Sequence, residues 1–462
     1  MAGNRMRGGL KLGGALVVLV VTSLGLAPAG GPPAEAEPQG IFKLEHLIFI
    51  VQENRTFDHY FGTYPGARGI PTKPNGSFKP CLPHPVLKKC SRPFRTNNPV
   101  NLGGPHSHWA AVQSIAGGKM NGFVEVAGKN GHGEFCVQNP TARRCRKFNG
   151  PQHQPDVMSV MGRDDIPNYW DYADNFVLQD MFFEGVDSWS LPAHMYLMSA
   201  WAASCRKVSN PMSCRSNPEP EPKGTYAWTD ITYLLEEAGV TWGYFVGDGT
   251  NVSCGSPPCA PDKKATSTPP SWNPVPQFRT VQQNHAYGNV MHHEDFFDMV
   301  QGGTLPQVSW VIPGIHNSEH PGNGTMATGP PHVTRVINAI MESGYWETSA
   351  IFVSWDDWGG FYDHMKPVVV DNMGFGIRVP AFVVGPYAKQ GFIDHQPLSS
   401  DAYLKLIEDR FLGGSRLDPD TMSRPDSRPS VRENEPKLGD LTADFDFTQP
   451  PRPPLILDPQ AG

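Results

Sequence analysis

The chain has 462 residues, 39% of them hydrophobic, enough to bury a large core. A formal net charge of −7 at pH 7 leaves no overall basic excess, so no nucleic-acid partner is expected and no charge-driven adhesion to an anionic membrane. Gly 48 and Pro 47, beside 10% aromatic residues, point to long ordered loops over a packed core rather than to disorder.

The first 36 residues read as a secretory signal peptide. Arg5, Arg7 and Lys11 precede an apolar run over 15–26, and Ala34-Glu35-Ala36 offers a small-residue cleavage site. The run is shorter than the roughly 20 residues that cross a bilayer. Met6 separates Arg5 from Arg7, so an adjacent twin arginine is absent and export through the general pathway is expected. The eight cysteines fall into close pairs, Cys81/Cys90, Cys136/Cys145, Cys205/Cys214 and Cys254/Cys259. None has zinc-type C-x-x-C spacing, so four short disulfide loops are expected, in a protein secreted or held in the cell envelope. Each contributes at most roughly 2–3 kcal/mol.

Residues 44–51 form a β-branched and aromatic run of strand length that ends in Gln52-Glu53-Asn54-Arg55. Between 73 and 146 the chain is rich in Pro, Gly and Cys, and so is 204–276; both are expected as loop insertions ordered by disulfides. Strands are predicted at 175–183, 241–246, 308–312, 348–355 and 379–384, and helices at 230–238, 332–343 and 400–411. Strands alternating with helices argue for an α/β sheet covered on both faces, with ligands at the carboxyl ends of the strands. One catalytic domain is expected over 41–425, and 426–462 reads as a Pro-rich C-terminal tail.

Two polar clusters follow predicted strands. Glu53 and Asn54 suit a hard divalent cation that must also meet a phosphate, although Asn54 or Thr56 could equally cap a helix. Asp356 and Asp357, just past 348–355, would repel each other unless a cation or an array of donors neutralised them. Asp363-His364 follows closely and is read with that pair as metal-binding.

The blocks E-N-R-T-F-D-H-Y-F-G (53–62) and W-D-D-W-G-G-F-Y-D-H (355–364) resemble the hallmark blocks of the bacterial phospholipase C and acid phosphatase family, a branch of the alkaline phosphatase-like superfamily. Similar blocks recur in the family's order at 117–123, 318–321, 376–380 and 401–411. The resemblance implies a three-layer α/β sandwich with a mostly parallel central sheet and a divalent metal ion held by Glu53, Asn54, Asp356 and Asp357. It also implies His106 and His320 as active-site histidines, with His108 a nearby alternative. The family's nucleophile block has the form Thr/Ser-x-Pro-Asn-Arg. Here Ser190-Leu191-Pro192-Ala193-His194 matches it, making Ser190 the candidate nucleophile, with an exposed hydroxyl, and Ser188 the second choice. Ala193 and His194 replace Asn-Arg, and Trp272 stands where many members carry a histidine.

The expected activity is phospholipase C cleavage of phospholipid head groups, with phosphomonoester hydrolysis as the alternative. The substitutions at Ala193, His194 and Trp272 leave open a binding protein on an inactivated scaffold. Membrane contact is expected to be peripheral at most, and no obligate protein partner is evident.

Overall fold

The computed structural model describes residues 39–221, 225–252 and 266–461. The expected signal segment 1–36 and the pair Cys254/Cys259 lie outside them.

The apolar run after Leu44 becomes strand β1, His46–Gln52, buried from Leu47 onward. A strand between two parallel neighbours is covered on both faces, which is why it reads as an unbroken hydrophobic run. The same sheet contains β2 (Val177–Gln179), β3 (Trp242–Val246), β4 (Val290–His292), β5 (Val308–Val311), β6 (Ser349–Trp355), β7 (Ala381–Val384) and β8 (Phe392–Asp394). Their order is β4-β3-β5-β1-β6-β7-β2-β8. All are parallel except β7, which runs against both β6 and β2. β1 and β6 pair in register from His46↔Ser349 to Gln52↔Trp355, so the polar groups that follow them emerge side by side.

The helices that matter for the site are α1 (Phe57–Phe61), α2 (His108–Ile115), α3 (Pro167–Asn175), α4 (Ser190–Ser199), α5 (Gly329–Met341) and α6 (Ser400–Phe411). On one face of the sheet, Phe49 and Phe352 meet Tyr403 of α6 with ring centroids 4.8 and 5.4 Å apart, and α4 packs on α6. On the other face, Trp355 and Phe382 meet Tyr169 of α3 at 5.4 and 5.6 Å. Asn168 of α3 donates to Thr334 of α5 at 3.1 Å, which ties those two helices together. Helices on both faces give the three layers.

The stretch 73–146 is more structured than a loop insertion. It holds α2 and the short helices Phe123–Ala127 and Glu134–Gln138, around a small apolar cluster that includes Leu82, Phe94, Phe123, Trp358 and Ile377. Disulfides join Cys81–Cys90, Cys136–Cys145 and Cys205–Cys214. The last links directly opposed residues of a two-stranded hairpin. Residues 426–461 run over the sheet unit. There Arg432 donates to Asp401 at 3.1 Å, and Phe445 lies 6.2 Å from Phe352.

Candidate active site

Past the end of β1, Asn54 takes a φ of 63°, a left-handed conformation that asparagine tolerates better than most residues. The resulting turn brings the Asn54 backbone N–H to Asp356 Oδ1 at 2.9 Å and its side-chain amide to Asp357 Oδ1 at 2.5 Å. Two residues on, Thr56 caps α1 by accepting from the His59 N–H at 3.2 Å. The motif therefore combines both of its readings, a helix cap at Thr56 and polar groups facing the acids at Glu53 and Asn54. Gly359 makes the approach possible, because a Cβ there would lie 2.5 Å from the Asn54 carbonyl oxygen. Its own N–H donates to Asp357 Oδ1 at 2.7 Å.

Ser190 is the first residue of α4. Its Oγ lies 3.0 Å from Glu53 Oε2 and 3.2 Å from Asp357 Oδ2. The hydroxyl is not exposed as expected: Ser190 is 2% exposed, because α4 is buried along its whole length. Ser190, Leu191 and Pro192 open the helix, where proline is well tolerated in the first turn. Ser188 donates to the Pro218 carbonyl at 2.5 Å and takes no part in the cluster. One helical turn after Ser190, on the same face of α4, His194 places Nε2 3.0 Å from Glu53 Oε1, with Tyr244 OH 3.4 Å from Nδ1. The residue that replaces the family's arginine thus touches the first acid directly.

The rings of His106 and His320 lie 5.8 Å apart. Each sets Nδ1 against a backbone carbonyl, Gly104 O at 3.0 Å and Pro321 O at 2.9 Å. In the neutral ring Nδ1 is then the donor, and Nε2 carries the lone pair. Trp272 stacks on His320 at 5.8 Å and forms part of the wall where many members carry an imidazole. His108 turns away to Asp187 at 3.0 Å.

Asp363 and His364, read with the acidic pair, lie apart from it. Asp58 accepts from His364 at 2.8 Å and from Arg378 Nη2 at 2.9 Å, while Asp363 accepts from Arg378 Nε at 3.2 Å. A guanidinium bridges these two carboxylates, so Asp58, Asp363 and His364 form an ion-pair network of their own, with ligand atoms within 4.8 Å of one another.

Among the described residues no guanidinium or ammonium pairs with Glu53, Asp356 or Asp357. Burial, then repulsion from Asp356, holds the Glu53 carboxyl well above its ordinary range. Burial and the neighbouring Asp357 push Asp356 up to about 6, and burial pushes Asp357 to about 7. Burial lowers His194 to about 4 and His320 to about 3, so both rings are neutral. Asn54 Oδ1 and Asp356 Oδ2 are buried without a hydrogen-bond partner among the described residues. Three carboxylates, an amide oxygen without a donor and a hydroxyl suit a hard divalent cation. Glu53, His194 and Asp356 also bring ligand atoms within 4.8 Å of one another. Sequence reading missed Glu184, a buried carboxyl raised by burial and then by Asp357, which accepts from the Ile377 N–H at 2.7 Å. No motif marks it.

This fold and centre define an α/β enzyme that works at the carboxyl edge of its parallel strands. Residues 44–412 match the Phosphoesterase family, and the chain belongs to it. It is a hydrolase acting on phosphoric ester bonds, which sets aside the reading as an inactive binding protein. It is 27% identical over 460 residues to phospholipase C B of Mycobacterium tuberculosis, covering 90% of this chain and 80% of that one. Non-hemolytic phospholipase C of Burkholderia pseudomallei is also 27% identical, over 90% of this chain and 61% of its own length. An alkaline phosphatase superfamily protein from Vibrio parahaemolyticus superposes with a TM-score of 0.30 at 14% identity, over 58% of this chain and 65% of that one, too weakly to carry an argument.

Proposed function

We propose that the chain is an exported, cation-dependent phospholipase C that attacks phosphorus with Ser190 Oγ. The observation that supports this most is the Ser190 hydroxyl at the start of α4, within 3.0 and 3.2 Å of Glu53 and Asp357. A helix start favours negative charge, both on a serine oxygen and on a phosphate. A divalent cation held by Glu53, Asn54, Asp356 and Asp357 would lower the pKa of the hydroxyl and polarise a phosphoryl oxygen. As Oγ bonds to phosphorus, its proton passes to a carboxylate oxygen of Glu53 or Asp357. The bond from phosphorus to the glycerol oxygen breaks, and the diacylglycerol alkoxide takes a proton from Nε2 of His106 in its imidazolium form, with the neutral ring of His320 beside it. Water then attacks the phosphoserine and gives its proton to Nε2 of His106, while the carboxyl returns its proton to Ser190. The phosphorylated head group departs.

Export is proposed from the N-terminal 36 residues and agrees with the three described disulfides. The extents 41–425 for the catalytic domain and 426–462 for the tail are likewise proposals.

The test is product analysis with phosphatidylcholine, with and without chelator. The expected products are diacylglycerol and phosphocholine. Ser190→Ala should lower turnover by about 10³-fold or more, and Ser188→Ala should retain it. Release of inorganic phosphate from a monoester, without diacylglycerol, would establish the acid phosphatase reading instead. Full activity in Ser190→Ala would remove the serine from the mechanism.

A further inference from the structure

Most of the acidic centre is sealed, and among its residues His106 and His320 keep partial exposure, so they mark its opening. The helix that starts beside His106 is built the wrong way round for a surface helix. α2 buries its small residues Ala110, Ala111 and Ser114, whereas Trp109 is 46% and Val112 44% exposed. A helix whose only apolar partner is its own protein turns its large residues inward.

A second large side chain is presented by a helix that starts against the loop leading to His106. The helix Glu134–Gln138 starts where Gly133 packs on the loop before His106, so closely that a Cβ would lie 2.6 Å from the Gly103 oxygen, and it leaves Phe135 38% exposed. Both aromatic rings carry cations. Lys129 Nζ lies 5.6 Å from the centre of the Trp109 ring, while also pairing with Glu125 at 2.8 Å, and the Arg144 guanidinium lies over Phe135. Between 106 and 150 there are six Lys and Arg (Lys119, Lys129, Arg143, Arg144, Arg146 and Lys147) and two acids, Glu125 and Glu134, in a chain whose net charge is −7. Single exposed apolar residues are ordinary on a protein surface. Here they coincide with a reversed helix, a local basic excess and the opening of the site.

We propose that α2 and the helix Glu134–Gln138 form a membrane-docking face that sets Trp109, Val112 and Phe135 into the head-group region of an anionic bilayer, with Lys129 and Arg144, the cations over two of those rings, on lipid phosphates. Aromatic rings at the interface beside cationic side chains are the chemistry by which peripheral helices hold lipid surfaces. Docking in this orientation turns the opening at His106 and His320 towards the lipid phosphates. The proposal rests on the phospholipase reading, but its test does not depend on turnover.

The test measures binding of the wild type and of Trp109→Ala/Val112→Ser to sedimented vesicles of phosphatidylcholine, with and without phosphatidylglycerol. Turnover of a soluble phosphodiester, bis(p-nitrophenyl) phosphate, is measured in parallel. The wild type should bind the phosphatidylglycerol-containing vesicles more tightly and lose that binding in high salt. The double variant should bind them on the order of tenfold more weakly, with turnover of the soluble ester unchanged. Vesicle binding that persists in the variant overturns the proposal. So does a variant that dissociates a dimer without losing vesicle binding, because the face would then cover a second copy of the chain. If wild-type binding and its loss are observed but phosphatidylcholine is not cleaved, docking stands and the phospholipase reading fails.

Discussion

His194 lies one turn along α4 from Ser190 with Nε2 3.0 Å from Glu53 Oε1, so it fixes the direction in which that carboxylate points. Groups that orient a ligand carboxylate typically tune metal affinity or activity by about 10–100-fold. His194→Ala should therefore raise the cation concentration needed for half-maximal turnover by about that factor. His194→Gln, whose amide can still reach Glu53, should recover part of the loss. Titrating turnover against added divalent cation checks both. The acids also make a pH-dependent statement. Asp356 and Asp357 sit at about 6 and about 7 in the folded chain, above the ordinary aspartate range, so the folded state retains protons that the unfolded chain has released. The stability this gives the cation-free protein is full below the ordinary aspartate range and is lost as pH rises through about 6 to 7. Saturating cation should abolish that fall, because it binds the deprotonated carboxylates. Thermal unfolding across this range, with chelator and then with cation, measures the difference.

At the scale of elements, the strands that could be read directly are those buried on both faces. β1 and β6 announce themselves as apolar runs ending in polar groups, and their parallel register places Glu53 beside Asp356. α4 could not be read this way: all ten of its residues are buried, so it has no polar face and no amphipathic stripe. The edge strands β4 and β8 have three residues each, too few for a periodicity, and nothing local in β7 sets its reversed direction. Asp363-His364 joins a group separate from Glu53 and Asp356, because closeness in sequence is not closeness in space. The chain leaves the acidic loop at Gly359 and Gly360 and carries Asp363 to Arg378. That network supports a prediction of its own. Arg378→Met would leave Asp58 and Asp363 buried without their shared guanidinium, at a cost of about 3–5 kcal/mol. A chemical-denaturation midpoint should show the loss, and Arg378→Met combined with Asp363→Asn should recover part of it.

For the whole molecule, net charge and family membership inform at different resolution. The formal charge of −7 argued against anionic membranes, yet a basic excess is concentrated in the segment 106–150, which begins at the opening, and a sum over the chain conceals it. The family match over 44–412 makes the chain a phosphoesterase. The proposed division of the reaction into two steps rests on Ser190, the hydroxyl placed between Glu53 and Asp357. The most direct test is to quench the enzyme with acid during turnover of phosphatidylcholine and map its peptides by mass spectrometry. The account predicts a phosphocholine adduct on Ser190 that forms and decays with turnover and is absent from Ser190→Ala. Steady turnover with no adduct on Ser190, or an adduct on another residue, would contradict it.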